Sequence, residues 1–325
     1  MIRSHHGDGM GELFARMASE QLDTVWTGAD LWARSRKAEG DARTVDQLRV
    51  AALVQWAQSF LHHGDPSYCD RWCAPGSHGS APETTPARST PPTRHGRAAA
   101  LHALWDLRSL LGLAHNCGEL SDSGAVLPPE AMRELVAGGV RLRRMLIDAE
   151  TGELIDLTPA SWRLDRTAAT ELDAPVVLSV IVDLPTWQSL RAGNADAALI
   201  DALEQAPQPL RDLVAAPQTA DDLDSTPEAY PAPARVAEFV AARDRHPTNP
   251  AAGPTSAAAA DVDHTVSVRD GGRTTRDNLA SLVRRWHRLK TFGGWTVKRV
   301  GRHWEWTSPR GRVYRTRPYD YRLGP

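Results

Sequence analysis

The stretch 261-DVDHTVSVRDGGRTTRDNLASLVRRWHRLKTFGGW-295 decides how the C-terminal part of this chain is read. Asp261 to Val268 alternates polar and apolar residues, as a half-buried strand does. Asp270-Gly271-Gly272 interrupts it. Asp277-Asn278 then precedes an apolar stripe of Leu279, Leu282, Val283, Trp286 and Leu289, whose spacing predicts a helix over 279–290. His287 falls beside that stripe, on the edge facing the preceding strand, and Arg284, Arg285 and Arg288 fall on exposed flanks. A strand, a loop and a helix that are neighbours in sequence thus carry Asp263, His264, Asn278 and His287.

These four residue types supply what phosphodiester hydrolysis at neutral pH requires. A carboxylate and an imidazole hold a divalent cation, which offsets the charge growing on the phosphate. A second, unligated imidazole takes a proton from water because its pKa lies near neutrality. A side-chain amide fixes that imidazole by a hydrogen bond. Neighbours 263 and 264 on a straight strand point to opposite faces, so one centre uses both only where the strand bends or ends. Asp261 shares the face of Asp263. It reads as a solvated carboxylate, with a supporting role behind the metal ligands as the other reading.

Outward from this stretch, three runs alternate basic with aromatic or apolar residues: 295–300, 303–308 and 312–317. They predict a small sheet with tryptophans in its core and arginines toward phosphates. From His264 to the last residue there are 15 Lys/Arg against four acidic residues, a net +11, whereas the preceding 263 residues carry −13. An acidic body with a basic tail implies a polyanionic partner, DNA, for the tail. The expected phosphate contacts are Arg273, Arg276, Arg284, Arg285, Arg288, Lys290, Lys298 and Arg299, with strong salt dependence and little sequence preference.

The preceding residues predict helices over 10–37, 44–63 (with Thr44 as N-cap), 97–114, 128–147, 195–215 and 233–243, and strands at 154–157 and 174–184. The domain reading is a helical segment 1–63, a Pro/Gly/Ser-rich flexible linker 64–96, a helical domain 97–217 with one or two short strands, a polar linker 218–232, and a C-terminal domain 233–325. Cys69, Cys73 and Cys117 are too few for a disulfide framework, and the CDRWC pair reads as free thiols in a loop. The chain contains no P-loop and no dinucleotide-binding glycine fingerprint, so no small-molecule cofactor is expected. Without a long apolar run or a signal-like N-terminus, no membrane is expected either, and a cytoplasmic location is the default expectation.

The motifs DVDHTV, GGRTTRDNL, LVRRWHRLKT and FGGWTV, with FVAARD (239–244) upstream and WEWTSPRGRVYRTRP (304–318) downstream, resemble the HNH endonuclease domain of actinobacterial proteins that join a helical N-terminal domain to a C-terminal nuclease module. The resemblance covers about 85 residues in this tail. It is looser at 41–54 and between ELSDSGAVLPPEAM and LIDL. It implies an α+β chain: a mainly α-helical N-terminal region and a C-terminal ββα-metal module with a short β extension. It also implies that Asp263 and His287 bind a divalent metal, that His264 is the general base and that Asn278 orients it. Mg²⁺ or Mn²⁺ suits the hard ligand, with Zn²⁺ as the third candidate. The chain departs from the family where a structural zinc is usual. No cysteine stands in 246–260, and Val283 and Trp286 occupy the positions of a Cys and a His. A structural zinc is therefore not expected, and the two side chains are expected to pack against the Ala-rich stretch 257–260 in its place. The activity implied is metal-dependent cleavage or nicking of DNA. The alternative is a DNA-binding protein that keeps the fold without catalysis.

Overall fold

A computed structural model describes residues 2–5, 10–63, 93–94, 97–98, 100–167, 175–250 and 256–322. The linker expected at 64–96, with Cys69 and Cys73, lies outside the described residues except at 93–94. The chain is α+β and divides into two compact units. Among the described residues no helix is long and apolar enough to cross a membrane.

The first unit holds the hairpin β1 (Ile2–His5) and β2 (Gly11–Phe14), helices α1 (Ser19–Ala38) and α2 (Val45–His63), and the two-residue strands β3 (Thr93–Arg94) and β4 (Arg97–Ala98). Ala29 and Ala33 of α1 and Leu48 and Ala52 of α2 are buried, the three alanines being small residues that let the two helices approach closely around Leu48. The expected start of α2 is present. Thr44 Oγ1 accepts from Gln47 N (3.2 Å) while Gln47 Oε1 accepts from Thr44 N (2.8 Å), a reciprocal cap of two otherwise orphaned donors.

The second unit is built on a seven-stranded sheet. In chain order its elements are β5 (Leu101–Asp106), α3 (Leu107–Leu110), β6 (Gly118–Leu120), β7 (Ala125–Leu127), α4 (Pro129–Ala137), β8 (Val140–Ile147), β9 (Leu154–Leu157), β10 (Trp162–Leu164), β11 (Val176–Asp183), α5 (Leu184–Ala192), α6 (Ala197–Gln205), α7 (Gln208–Ala215) and α8 (Ala234–Asp244). The strand order is β10-β8-β11-β5-β6-β7, with β9 also paired to β8. β8 and β11 run parallel, Leu142 beside Leu178 and Leu146 beside Val182.

This sheet corrects the helical domain expected at 97–217. The apolar run from Leu101 is a strand whose consecutive residues Ala103, Leu104 and Trp105 are all buried. A strand covered on both faces has apolar residues at every position, which overlaps the spacing of a helical stripe. Asp106 then caps α3, accepting from Ser109 N at 2.9 Å. The helix expected over 128–147 ends at Ala137. Gly139 takes φ +90°, and the chain continues as β8, buried at seven of eight positions. The strands at 154–157 and 176–183 and the helix at 234–244 stand as expected, and the helical stretch at 195–215 is split in two at Ala206-Pro207.

The elements that follow are β12 (Asp261–His264), β13 (Leu279–Leu282), α9 (Arg284–Phe292), β14 (Thr296–Val300), β15 (His303–Thr307) and β16 (Val313–Thr316). β12 and β13 pair antiparallel, with Asp263 opposite Ala280 and His264 opposite Leu279. The helix expected over 279–290 is therefore corrected to a strand and a shorter helix. Residues 279–282 are all buried and hydrogen-bonded to β12, and Val283 is the N-cap of α9. β14, β15 and β16 form the expected antiparallel sheet.

One core joins Leu104, Met145, Ile147, Leu157 and Ile181 of the large sheet to Val236, Phe239 and Val240 of α8 and to Leu279 of β13. The expected linker 218–232 is not a boundary. Leu223 is buried in that core, and residues on both sides of the segment belong to the same unit. A second cluster holds Ala280, Leu282, Val297, Trp304 and Trp306 under α9.

Candidate metal centre

The hairpin β12-β13 and the helix α9 form a ββα unit that brings β12 alongside α9. Strand alternation puts Asp261 and Asp263 on the face toward the helix. His287 and Lys290, one helical turn apart, meet them there. His287 Nδ1 lies 3.0 Å from Asp261 Oδ2, and His287 Nε2 lies 3.7 Å from Asp263 Oδ2. Asp261 Oδ2 can only accept, so His287 Nδ1–H donates to it and Nε2 is the ring atom turned toward Asp263. Asp261 also accepts from Arg284 at 2.9 Å. Burial pushes the Asp261 carboxyl up, and the hydrogen bonds from His287 and Arg284 outweigh that and hold it below the ordinary carboxylate range. Asp261 is thus engaged by His287 and Arg284 and is not a free solvated carboxylate. The signal was present in sequence: it stands two residues before Asp263 on the same strand face.

The ion pair of Asp263 with Lys290 Nζ spans 2.7 Å, yet Asp263 Oδ2 is buried and receives no hydrogen bond of good geometry. A buried carboxylate oxygen that already draws one cation, Lys290, and stands beside an imidazole suits a metal ion as well. Two ligands of one ion each sit roughly 2.1 Å from it, a span that covers the 3.7 Å between Asp263 Oδ2 and His287 Nε2. The residues present fit a divalent ion held by these two, with water and phosphate oxygens completing the shell. Among the described residues no group of three or more His, Cys, Asp or Glu side chains is arranged around one point for a metal.

His264 ends β12 and belongs to a different set of contacts. Its ring is nearly buried, stacks on Tyr230 with centroids 5.7 Å apart, and places Nε2 2.8 Å from Thr274 Oγ1. The Thr274 hydroxyl donates to the Ala229 carbonyl at 2.6 Å, which only accepts. It follows that Thr274 accepts from His264 Nε2–H, and the lone pair resides on Nδ1. Burial lowers the His264 pKa, and the ammonium of Lys290 adds to that while Asp263 opposes it. A neutral ring with a lone pair on a known nitrogen is a competent proton acceptor.

Asn278 does not orient that ring. Its Oδ1 accepts from Thr265 Oγ1 (2.7 Å) and Val266 N (2.8 Å), and its Nδ2 donates to the carbonyls of Val266 (3.0 Å) and Arg273 (2.8 Å). The amide therefore closes the loop between β12 and β13. Gly272 lies under the same clamp, where a Cβ would come within 1.9 Å of the Val266 carbonyl oxygen. The ring is held by Thr274, Ala229 and Tyr230 instead. Two of these, Ala229 and Tyr230, are about 35 positions from His264 in the chain and gave no sequence signal.

Compared with known protein families, curated proteins and solved structures, the chain finds no match.

The expected phosphate-facing cations separate into two groups. Arg273 pairs with Glu228, Arg276 with Asp224, Arg284 with Asp261, Lys298 with Glu305 and Arg299 with Asp277. Lys290 is turned inward to Asp263 and to the His264 carbonyl. Arg285 and Arg288 are exposed on α9 and form no ion pair among the described residues. Trp286 has the packing role expected of it but other partners. It meets Trp295 (4.7 Å between centroids) and Trp306 (5.3 Å) edge to face, whereas the turn Ala257–Ala259 packs against α8.

Proposed function

We propose that the chain is a divalent-metal-dependent nuclease of the HNH type, hydrolysing phosphodiester bonds in DNA at the centre on β12, β13 and α9. The observation that carries this reading is the alignment of Asp261, His287 and Asp263, which presents one imidazole nitrogen and one carboxylate oxygen 3.7 Å apart on a basic domain. A carboxylate that fixes the far nitrogen of an imidazole is the usual support of a metal-binding histidine. Asp263 and His287 would hold the ion, which supplies Lewis-acid stabilisation of the phosphate charge when bound. His264 accepts the proton of the attacking water at Nδ1. Thr274 keeps the ring in that tautomer, and Asn278 holds the loop that carries Thr274. Arg285 and Arg288 contact DNA phosphates.

A second reading, DNA binding without cleavage, is favoured by one observation: the Lys290 ammonium already neutralises Asp263. Cleavage of supercoiled plasmid by the wild type, His264→Ala and Asp263→Asn, with Mg²⁺, Mn²⁺ or EDTA, separates the two. Nicking abolished by EDTA and by both substitutions establishes the nuclease. Retained DNA binding with no cleavage under any metal establishes the second reading.

A further inference from the structure

We propose that Lys290 is a built-in competitor of the divalent ion at Asp263 and sets the metal affinity of the centre. This rests on Asp263 being a metal ligand. The oxygen of Asp263 that faces His287 Nε2 is the one that Lys290 Nζ approaches to 2.7 Å. An ion cannot take that oxygen while an ammonium stands there, so metal entry is a cation exchange and not an addition.

The charges around the site lead to the same conclusion. Its two carboxylates each face a fixed cation, Asp261 facing Arg284 and Asp263 facing Lys290. The Lys290 and Asp263 side chains are only 13% and 16% exposed, so solvent and salt screen their attraction weakly. A doubly charged ion entering this balanced site meets repulsion that falls only when the ammonium withdraws. Lys290 also donates to the His264 carbonyl, an acceptor that the ammonium keeps after leaving Asp263. The exchange asks only that the side chain change its position, from Asp263 to the His264 carbonyl.

The test is calorimetric titration of Mn²⁺ into the full chain and into K290M, K290R and D263N. Circular dichroism first verifies that each variant is folded. Methionine keeps the alkyl stem without the charge, and arginine keeps the charge. We expect K290M to bind Mn²⁺ about ten- to a hundredfold more tightly than the wild type, and K290R to stay close to wild type. D263N should abolish the binding. Equal or weaker Mn²⁺ binding by K290M, with D263N still abolishing it, overturns the competitor role but leaves the metal centre standing. Equal tightening in K290R and K290M overturns it as well, because charge is then not the cause. Mn²⁺ binding by D263N as strong as that of the wild type removes the metal centre itself, and this inference with it.

Discussion

Replacing Trp306 by alanine tests whether packed indoles hold α9, and so His287 and Lys290, in place. Trp306 is fully buried in the cluster of Ala280, Leu282, Val297 and Trp304, and its ring meets Trp286 of α9 edge to face. Its indole Nε1 donates to the Thr248 carbonyl at 2.9 Å. Truncating a buried tryptophan costs about 3–5 kcal/mol through lost burial and the cavity left behind. The Thr248 carbonyl keeps a second donor in Thr316 Oγ1, so no acceptor is orphaned and the lower part of that range applies. A loss of about 3–4 kcal/mol corresponds to a fall in melting temperature of roughly 6–16 °C for a unit of this size. The assay is urea denaturation followed by far-ultraviolet circular dichroism, with Trp306→Phe expected to lose less than half as much. A loss below about 1 kcal/mol for the alanine variant would refute the reasoning, because a residue that supports α9 cannot be removed at so small a cost. So would melting of the wild type by EDTA with recovery on adding zinc, since an ion and not the indoles would then be the support.

Three further outcomes follow from the site and its scaffold. Asp261→Asn should weaken Mn²⁺ binding by about 10- to 100-fold with little change in melting, read by calorimetry, since it releases His287 without removing a ligand. Because burial lowers the His264 pKa below its unfolded value of 6.5, the unfolded chain binds more protons below that pH. Stability is therefore lost as pH falls from 6.5 through the lower folded value, and a His264→Gln variant should show a shallower loss in denaturation series across that window. Asp244 is fully buried, pairs with Arg243 at 2.7 Å and accepts from Ser281 N at 2.8 Å. Asp244→Ala should cost about 3–5 kcal/mol by leaving Arg243 unpaired, measured by urea denaturation, and an unchanged midpoint would contradict the buried pair.

What was legible in the sequence is what local chemistry determines. Thr44 before a run of helical period marked the start of α2, and the alternating runs from Trp295 on marked strands. The misreadings at 101–106, 140–147 and 279–282 share one cause. Each is a strand buried at consecutive positions, so a stripe of period 3.6 can be drawn through its apolar residues even where His102, Arg143, Arg144 or Ser281 interrupts them. In the candidate site, Asp263 and His287 were singled out by residue type and by resemblance on elements close in sequence, and the structure brings their side chains to 3.7 Å. Lys290 was misread as a surface cation because its direction depends on where α9 begins, and beginning it after Val283 turns this residue toward β12. The partners of His264 come from a segment that looked like a linker, and no pattern in 218–232 announces that Ala229 and Tyr230 reach it.

Asn278 has a consequence for the future of this loop rather than for its present shape. Four hydrogen bonds from one amide fasten residues 265–266 to Arg273, so the turn between them is sealed at its base like the neck of a bag. Insertions at Arg269–Gly271 change what is inside the bag without pulling on the neck, and closing a somewhat longer loop costs little entropy. The tip lies a few residues from the proposed base, His264, and both Arg269 and Gly271 are exposed. It is a place where length and sequence can drift, or be randomised in a library, to change what the loop meets while β12, β13 and α9 stay as they are.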